Sequence, residues 1–180
     1  MRDAGVEKAI LVGHSLGAAV ALEFARSYRA KVVGLVLVDG SLPNSPYSKR
    51  ESAPYAMNLN TLRQEGYLRG TSEWIDSMFG LQTEPQLRDE IRKKMLATPQ
   101  HVMISAMEYL ANPATWRTDP IQCPALMINC RKYYRDEGFL RTIVPGIQIE
   151  TWDSVGHFLM LERPTEFNRS LESFIRRWRG

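Results

Sequence analysis

The fold is decided by the ten residues Lys8-Ala9-Ile10-Leu11-Val12-Gly13-His14-Ser15-Leu16-Gly17. Residues 8–13 form a short apolar run that ends in glycine, a pattern typical of a buried β-strand. Good helix formers continue from Leu16 to about Arg29, and small residues are concentrated near the start of that stretch. Small side chains allow a helix to pack close to a sheet. This part of the chain therefore predicts a strand, a sharp turn and a helix.

The turn carries the pattern G-x-S-x-G in Gly13-His14-Ser15-Leu16-Gly17. A serine on such a turn projects its hydroxyl above the carboxyl edge of the sheet, and the flanking glycines remove side chains that would collide there. Backbone N–H groups at the start of the helix favour negative charge that develops beside the serine. We therefore predict Ser15 as a nucleophile and the N–H of Leu16 as an oxyanion donor. The alternative is an ordinary tight turn whose serine is only a helix cap.

A serine nucleophile needs a base, and the chain offers three histidines. His157 is the predicted base, because it lies in the loop Val155-Gly156-His157-Phe158 after the last predicted strand, far along the chain from the serine. Imidazole titrates in the pH range where such a base works. His14 and Phe158 are expected to line the substrate site. His101 lies among polar residues of a predicted helix and is expected at the surface.

These residues resemble the α/β-hydrolase superfamily, in its branch of single-domain hydrolases with helical caps. The match lies in residues 10–24, 32–40, 124–128 and 156–164. The resemblance implies an α/β fold, with a mostly parallel sheet, flanking helices and an inserted helical cap. It also implies a carboxylesterase-like serine hydrolase that acts on small ester or other carbonyl substrates through a Ser-His-Asp triad. Such an enzyme needs no metal or organic cofactor.

The order of the predicted elements agrees with an α/β fold. The elements are strands at 32–39, 124–129 and 147–152, helices at 87–96 and 102–110, and a last helix that begins at Pro164. We divide the chain into a first core part (1–41), a helical cap (42–118) and a second core part (119–180). The cap is rich in Met and Tyr, which suits an apolar substrate group and packing between cap helices equally well.

The acid that completes the triad has two candidates. The resemblance implies an acid about nine residues after Pro124, but Tyr133 lies there and cannot serve. Asp136 follows soon after, at the predicted start of a helix, where the helix dipole explains a carboxylate equally well. Asp39 ends the strand after the nucleophile helix, a position where some members of the superfamily place their acid. We favour Asp39 over Asp136, and we expect Glu162, after the histidine loop, to be a surface acid.

The resemblance also implies several strands before residue 8 and a second oxyanion donor from a loop among them. We therefore expect the chain to be the C-terminal part of a longer hydrolase. An open apolar edge at residues 8–13 would favour pairing with another chain, and hence a homo-oligomer or poor solubility. The rivals to an ester hydrolase are a carbon–carbon bond hydrolase or lyase on the same fold, a non-catalytic module that binds a ligand or a protein, and an inactive fragment.

Composition argues against several other classes of protein. The chain has 180 residues, a net charge of +3 and basic residues scattered among acids, which argues against nucleic-acid binding. Cys123 and Cys130 lie seven residues apart with no histidine beside them, so reduced thiols fit better than a metal site. No apolar stretch approaches the roughly 20 residues of a membrane helix, and residues 1–5 do not resemble a signal peptide. We therefore expect a cytoplasmic protein without membrane or nucleic-acid partners.

Overall fold

The computed structural model describes residues 1–40, 59–131 and 136–177. Within these ranges four strands form one parallel sheet in the order β1-β2-β3-β4. The strands are β1 (Ala9–His14), β2 (Val32–Val38), β3 (Ala125–Cys130) and β4 (Gln148–Trp152). Because the strands are parallel, their carboxyl ends meet at one edge of the sheet, where the residues of the candidate site lie.

Helices connect and cover these strands. They are α1 (Leu16–Ser27), α2 (Leu59–Arg63), α3 (Tyr67–Ser77), α4 (Pro85–Leu96), α5 (Gln100–Ala111), α6 (Glu137–Ile143), α7 (Leu159–Glu162) and α8 (Pro164–Arg177). Short 3-10 helices cover Arg2–Ala4, Arg29–Lys31 and Pro113–Thr115. α1 connects β1 to β2 and α6 connects β3 to β4, whereas α2 to α5 form a helical insertion between β2 and β3. The predicted α/β fold, with a parallel sheet and an inserted group of helices, is confirmed.

β2 and β3 form the centre of the sheet because almost all their side chains are apolar and buried. Leu35 and Leu37 pack with side chains of α1 on one face of the sheet. Val36 and Val38 pack with Phe174 of α8 on the other face. Full burial of one such side chain contributes roughly 1.5–3 kcal/mol. A sheet that is apolar on both faces needs helices on both sides, which explains the positions of α1 and α8.

The first strand differs from its prediction. A buried strand is predicted at residues 8–13, but β1 lies at an edge of the sheet and pairs with β2 alone among the described strands. Val12 is 51% exposed. A short apolar run looks the same in a fully buried strand and in an edge strand, so periodicity does not separate the two. Pairing of this edge with another chain stays a prediction.

The other predicted elements are confirmed to within two residues at each end. The short helices α2 and α7 and the helix α3 are not predicted by the apolar pattern. Tyr133 and part of the predicted cap, residues 42–58, lie outside the described residues. The three-part division of the chain stays a prediction. In the described parts of the chain, no helix is both long enough and apolar enough to cross a membrane.

Candidate active site

The predicted nucleophile lies on a strained turn between β1 and α1. Ser15 has φ 55° and ψ −121°. Residues other than glycine rarely adopt a positive φ of this kind. Its N–H donates to the carbonyl of Val38 at 3.0 Å, which ties the turn to the end of β2. Strain of this kind is concentrated at functional sites, where the surrounding structure maintains it.

The two glycines of the motif have different roles. A Cβ added to Gly13 would meet the carbonyl oxygen of Gly17 at 2.2 Å, so residue 13 must be glycine for this turn to close. A Cβ added to Gly17 would meet nothing within 4 Å among the described residues. The collision expected at both glycines is therefore found at Gly13, and none is found at Gly17 among the described residues.

The predicted oxyanion donor begins the helix that follows. Leu16 is the first residue of α1, a helix of 12 residues. N–H groups in the first turn of a helix lack the carbonyl partners that later residues have, and the helix dipole makes that end favourable for negative charge. The role of the Leu16 N–H stays a prediction, and its position at the helix start is compatible with it.

His157 and Asp39 lie in direct contact. Nδ1 of His157 is 2.6 Å from Oδ2 of Asp39, and the two residues are 3% and 0% exposed. An ionised carboxylate only accepts hydrogen bonds, so Nδ1 donates and Nε2 is left as the basic nitrogen of the ring. Asp39 follows β2 directly and has φ 39°, a second non-glycine residue in the left-handed region at the same edge of the sheet.

Cys130 is a neighbour of this pair that sequence reasoning missed. Its backbone N–H donates to Oδ1 of Asp39 at 3.2 Å, and its Sγ lies 3.4 Å from Oδ2. The thiol is fully buried at the end of β3, next to β2, the strand that Asp39 follows. The residue type is known from the sequence, but the proximity of the thiol to the carboxylate of Asp39 follows only from the pairing of β2 with β3.

His14 contacts the histidine loop. Its Nε2 donates to the backbone carbonyl of His157 at 2.8 Å, and the two rings lie 4.5 Å apart between centroids. Burial lowers the pKa of His14 from its usual 6.5 to about 4, and the electrostatic interaction with the neighbouring His157 ring contributes to this shift. His14 is therefore neutral at pH 7. The ring of Phe158 lies 5.6 Å from that of His14, so both residues predicted to line the site are beside the histidine.

The alternative acid occupies a different environment. Asp136 is the N-cap of α6, and its Oδ1 accepts the N–H of Phe139 at 2.9 Å. The neighbouring Glu137 is exposed and lies 3.9 Å from Arg141. The carboxylate that contacts Nδ1 of His157 belongs to Asp39.

Glu162 is not the surface acid that the sequence predicts. It is half-buried, and its Oε2 accepts the N–H of Gly156 at 2.9 Å. Its Oε1 lies 3.4 Å from the backbone nitrogen of Gly80, in the helical insertion. The prediction is wrong because the sequence places Glu162 after the histidine loop but does not reveal which distant segment approaches it.

The described residues contain no group of three or more His, Cys, Asp or Glu side chains placed to hold a metal ion. Neither Cys123 nor Cys130, the two cysteines of the chain, forms a disulfide bond. Cys123 is partly buried, which raises the pKa of its thiol, whereas Cys130 contacts Asp39 as described above.

Comparison with known proteins shows the family of this chain. The sequence profile of the alpha/beta hydrolase family matches residues 2–170. A 2-hydroxy-6-oxononadienedioate/2-hydroxy-6-oxononatrienedioate hydrolase of Burkholderia vietnamiensis is 28% identical over 193 aligned residues, which cover 96% of this chain and 64% of that protein. A protein of the same name from Paraburkholderia phymatum is also 28% identical, with 63% of its length covered. The chain thus spans less than two thirds of the length of these curated relatives.

Solved structures share the fold. A thermophilic esterase from Thermogutta terrifontis has a TM-score of 0.78 at 24% identity, with 99% of this chain and 69% of that chain covered. An esterase from Exiguobacterium antarcticum has a TM-score of 0.76 at 18% identity, with 97% and 69% covered. At these identities the likeness concerns the fold alone, and its coverage agrees with a partial α/β-hydrolase fold. Because the family profile covers nearly the whole sequence and the sheet has the same architecture, the chain belongs to the alpha/beta hydrolase family.

Proposed function

We propose that this chain carries the reacting groups of a serine hydrolase, with Ser15 as nucleophile, His157 as base and Asp39 as the acid that orients the base. The observation that carries the proposal is the buried 2.6 Å contact between Nδ1 of His157 and Oδ2 of Asp39. It lies at the edge of the sheet where β1 ends in the strained Ser15 turn. Family membership supports hydrolysis as the class of reaction.

The first half of the proposed reaction forms an acyl-enzyme. Nε2 of His157 takes the proton of the Ser15 hydroxyl while Oγ attacks the carbonyl carbon of an ester. The tetrahedral intermediate collapses, the bond to the leaving alcohol breaks, and the imidazolium returns the proton to the alcohol oxygen. The buried carboxylate of Asp39 stabilises the imidazolium and holds the ring in the tautomer that keeps Nε2 basic.

The second half releases the acyl group. A water molecule loses a proton to Nε2 of His157 and attacks the acyl carbonyl, and the proton then returns to Oγ of Ser15 as the carboxylic acid leaves. The N–H of Leu16 stabilises the oxyanion in both halves. One donor of this kind accounts for about 100- to 1000-fold in rate. The proposed route needs no metal or organic cofactor.

Ester substrates are the first candidates, because an alkoxide becomes a good leaving group after a single protonation by His157. A carbon–carbon bond hydrolase is the second candidate, favoured by the name of the Burkholderia vietnamiensis relative. That name describes a keto dicarboxylate without an ester, so its hydrolysis must break a carbon–carbon bond. The same serine and histidine serve both reactions, and the leaving group is carbon in one and oxygen in the other.

The first experiment is covalent labelling with a fluorophosphonate, read by intact mass. It requires no knowledge of the substrate, because the probe phosphonylates an activated serine. We expect one adduct on the parent chain and none on Ser15→Ala. The matched control is Ser105→Ala, which removes an exposed hydroxyl on α5 and should label like the parent.

The outcomes separate the candidate functions. An adduct that persists in Ser15→Ala would assign the reactivity to another residue and overturn the proposal. A folded parent chain without an adduct would also overturn it and favour a non-catalytic module. If labelling depends on Ser15, product analysis with a 4-nitrophenyl ester and with a 2-hydroxy-6-oxodienoate separates ester cleavage from carbon–carbon cleavage.

A further inference from the structure

A carboxylate that takes no part in the proposed reaction joins two distant segments beside His157. Oε2 of Glu162 accepts the N–H of Gly156, the residue before the histidine, at 2.9 Å. Oε1 of the same side chain lies 3.4 Å from the nitrogen of Gly80, in the helical insertion. The two donors are far apart in sequence, so this side chain connects the histidine loop to the insertion.

The two main chains touch at this junction. A Cβ added to Gly156 would meet the nitrogen of Gly80 at 2.2 Å and the carbonyl oxygen of Met78 at 2.5 Å. A Cβ added to Gly80 would meet the nitrogen of Gly156 at 2.7 Å. Both positions therefore need glycine. In addition, the N–H of His157 donates to the carbonyl of Met78 at 2.8 Å, so the contact includes the histidine itself.

The chemistry of the junction requires a carboxylate. Both groups that face Glu162 are N–H donors, and an ionised carboxylate offers an acceptor oxygen to each of them. Glutamine offers one oxygen and one NH₂ group, so one of the two donors would face another donor. Hydrogen bonds to a charged acceptor are stronger than those between neutral groups.

Glu162 also closes the loop that carries the histidine. It ends the single turn of α7, and its own N–H donates to the carbonyl of Phe158 at 3.0 Å. Its side chain then returns to Gly156, so residues 156–162 form a closed loop held at both ends. The contact with Asp39 orients the His157 ring, but this closed loop sets the position of its main chain.

We propose that Glu162 is a positioning residue, which fixes the main chain of His157 against the helical insertion and so sets the distance from Nε2 to Ser15. The inference rests on the proposed function, because it concerns the task of His157 there. A displacement of about 1 Å at a reacting group can cost about 100-fold in rate. Loss of Glu162 should therefore slow the chemical step and leave binding of a small probe nearly unchanged.

The test compares Glu162→Gln and Glu162→Ala with the parent chain. Fluorophosphonate labelling is measured over a range of probe concentrations, which separates probe binding from the reaction step. We expect the reaction step to slow by about tenfold in Glu162→Gln and about 100-fold in Glu162→Ala, with probe binding within about twofold. The control is Glu166→Gln, a half-buried residue of α8 that lies 3.4 Å from Arg163 and should label like the parent.

A second measurement reports the junction without reference to activity. Amide hydrogen exchange followed by NMR should become faster at Gly80 and Gly156 in Glu162→Gln, whereas amides of β2 and β3 should keep their protection. If Glu162→Ala does not fold, Glu162→Gln decides the question. Chain-wide loss of protection in Glu162→Gln would indicate a general effect on folding and overturn the positioning role.

Labelling of Glu162→Gln at the parent rate would overturn the inference, even if the two glycine amides exchange faster. Equal slowing in Glu166→Gln would also overturn it. These results differ from a failure of the proposed function, in which the parent chain itself shows no Ser15-dependent adduct and the positioning role falls with it.

Discussion

The carboxyl ends of β2 and β3 lie side by side at one edge of the sheet. An aspartate follows each strand, and the two aspartates differ in burial and in hydrogen-bond partners. Asp39 comes directly after β2, is fully buried and contacts Nδ1 of His157. Asp136 comes six residues after Cys130, is half-buried and accepts the N–H of Phe139 at the start of α6. The comparison teaches that the groups around a carboxylate, and not the residue type, decide what it is able to do.

Backbone geometry explains why the two carboxylates differ. The position of Asp39 is fixed by a central strand, by its left-handed φ of 39° and by the N–H of Cys130. The carboxylate of Asp136 is already engaged with its own helix, where an aspartate is among the best N-cap residues. A rigid strand end therefore delivers a carboxylate to the sheet edge, whereas a helix start uses the carboxylate locally.

The largest expected effect separates these two aspartates by function. Asp39→Asn should lower the rate of Ser15 labelling and of ester turnover by about 10⁴-fold, because an amide does not hold the His157 ring in the reactive tautomer. Asp136→Asn should change either rate by less than about twofold, since asparagine is an equally good N-cap. The measurement is the fluorophosphonate labelling rate, with circular dichroism to show that both variants fold. A larger loss in Asp136→Asn would reverse the proposed assignment.

The next effect concerns the burial of His14 at the candidate site. Burial holds the pKa of His14 near 4, below its usual 6.5, so the unfolded chain binds a proton that the folded chain excludes between these values. The free energy of unfolding should therefore fall as the pH drops through this window, by up to about 1.4 kcal/mol per pH unit. Urea denaturation at several pH values measures this slope, and His14→Gln should flatten it.

The control for this measurement is His101→Gln, because His101 is exposed on α5. It should keep the slope of the parent chain. If His14→Gln keeps the parent slope as well, the surroundings of His14 and Asp39 are more hydrated than their burial indicates. Burial would then not explain why Asp39 and Asp136 differ in function.

A smaller effect tests the thiol beside Asp39. Cys130→Ala removes the Sγ contact with Oδ2 but keeps the backbone N–H that reaches Oδ1. We expect about a fivefold loss in labelling rate, equivalent to about 1 kcal/mol for one hydrogen bond. Cys130→Ser keeps a donor in nearly the same place and should recover most of that loss. Equal rates in the alanine variant and the parent would show that the thiol of Cys130 does not contribute to the function of Asp39.

The difference between local patterns and contacts over long distances in the chain also explains how much of the fold and of the site the sequence predicts. Apolar runs and the G-x-S-x-G pattern are local signals, so β1 to β4, α1 and the Ser15 turn follow from residue order. His157 follows from its place after the last strand. These features depend on the chain within a few residues of each position.

The features that the sequence misses depend on contacts between distant segments. In the sequence, Glu162 has the features of an ordinary surface acid. Its partners are known only from the structure, where Gly80 lies against Gly156. The contact of Cys130 with Asp39 needs the pairing of β2 with β3, and the exposure of Val12 needs the position of β1 in the sheet. Neither residue type nor periodicity contains this information, because these contacts depend on the order of the strands and on the path of the insertion.

The smallest expected effect tests the other side of the comparison. Asp136→Ala removes the acceptor for the N–H of Phe139 at the start of α6, a helix of seven residues. Loss of such a cap lowers the free energy of unfolding by about 1 kcal/mol, which chemical denaturation resolves, while the labelling rate of Ser15 stays within about twofold. Asp136→Asn should retain the stability of the parent, because asparagine accepts the same bond. If the alanine variant loses labelling but not stability, Asp136 acts on the site and not on the helix, and the distinction between the two strand ends is wrong.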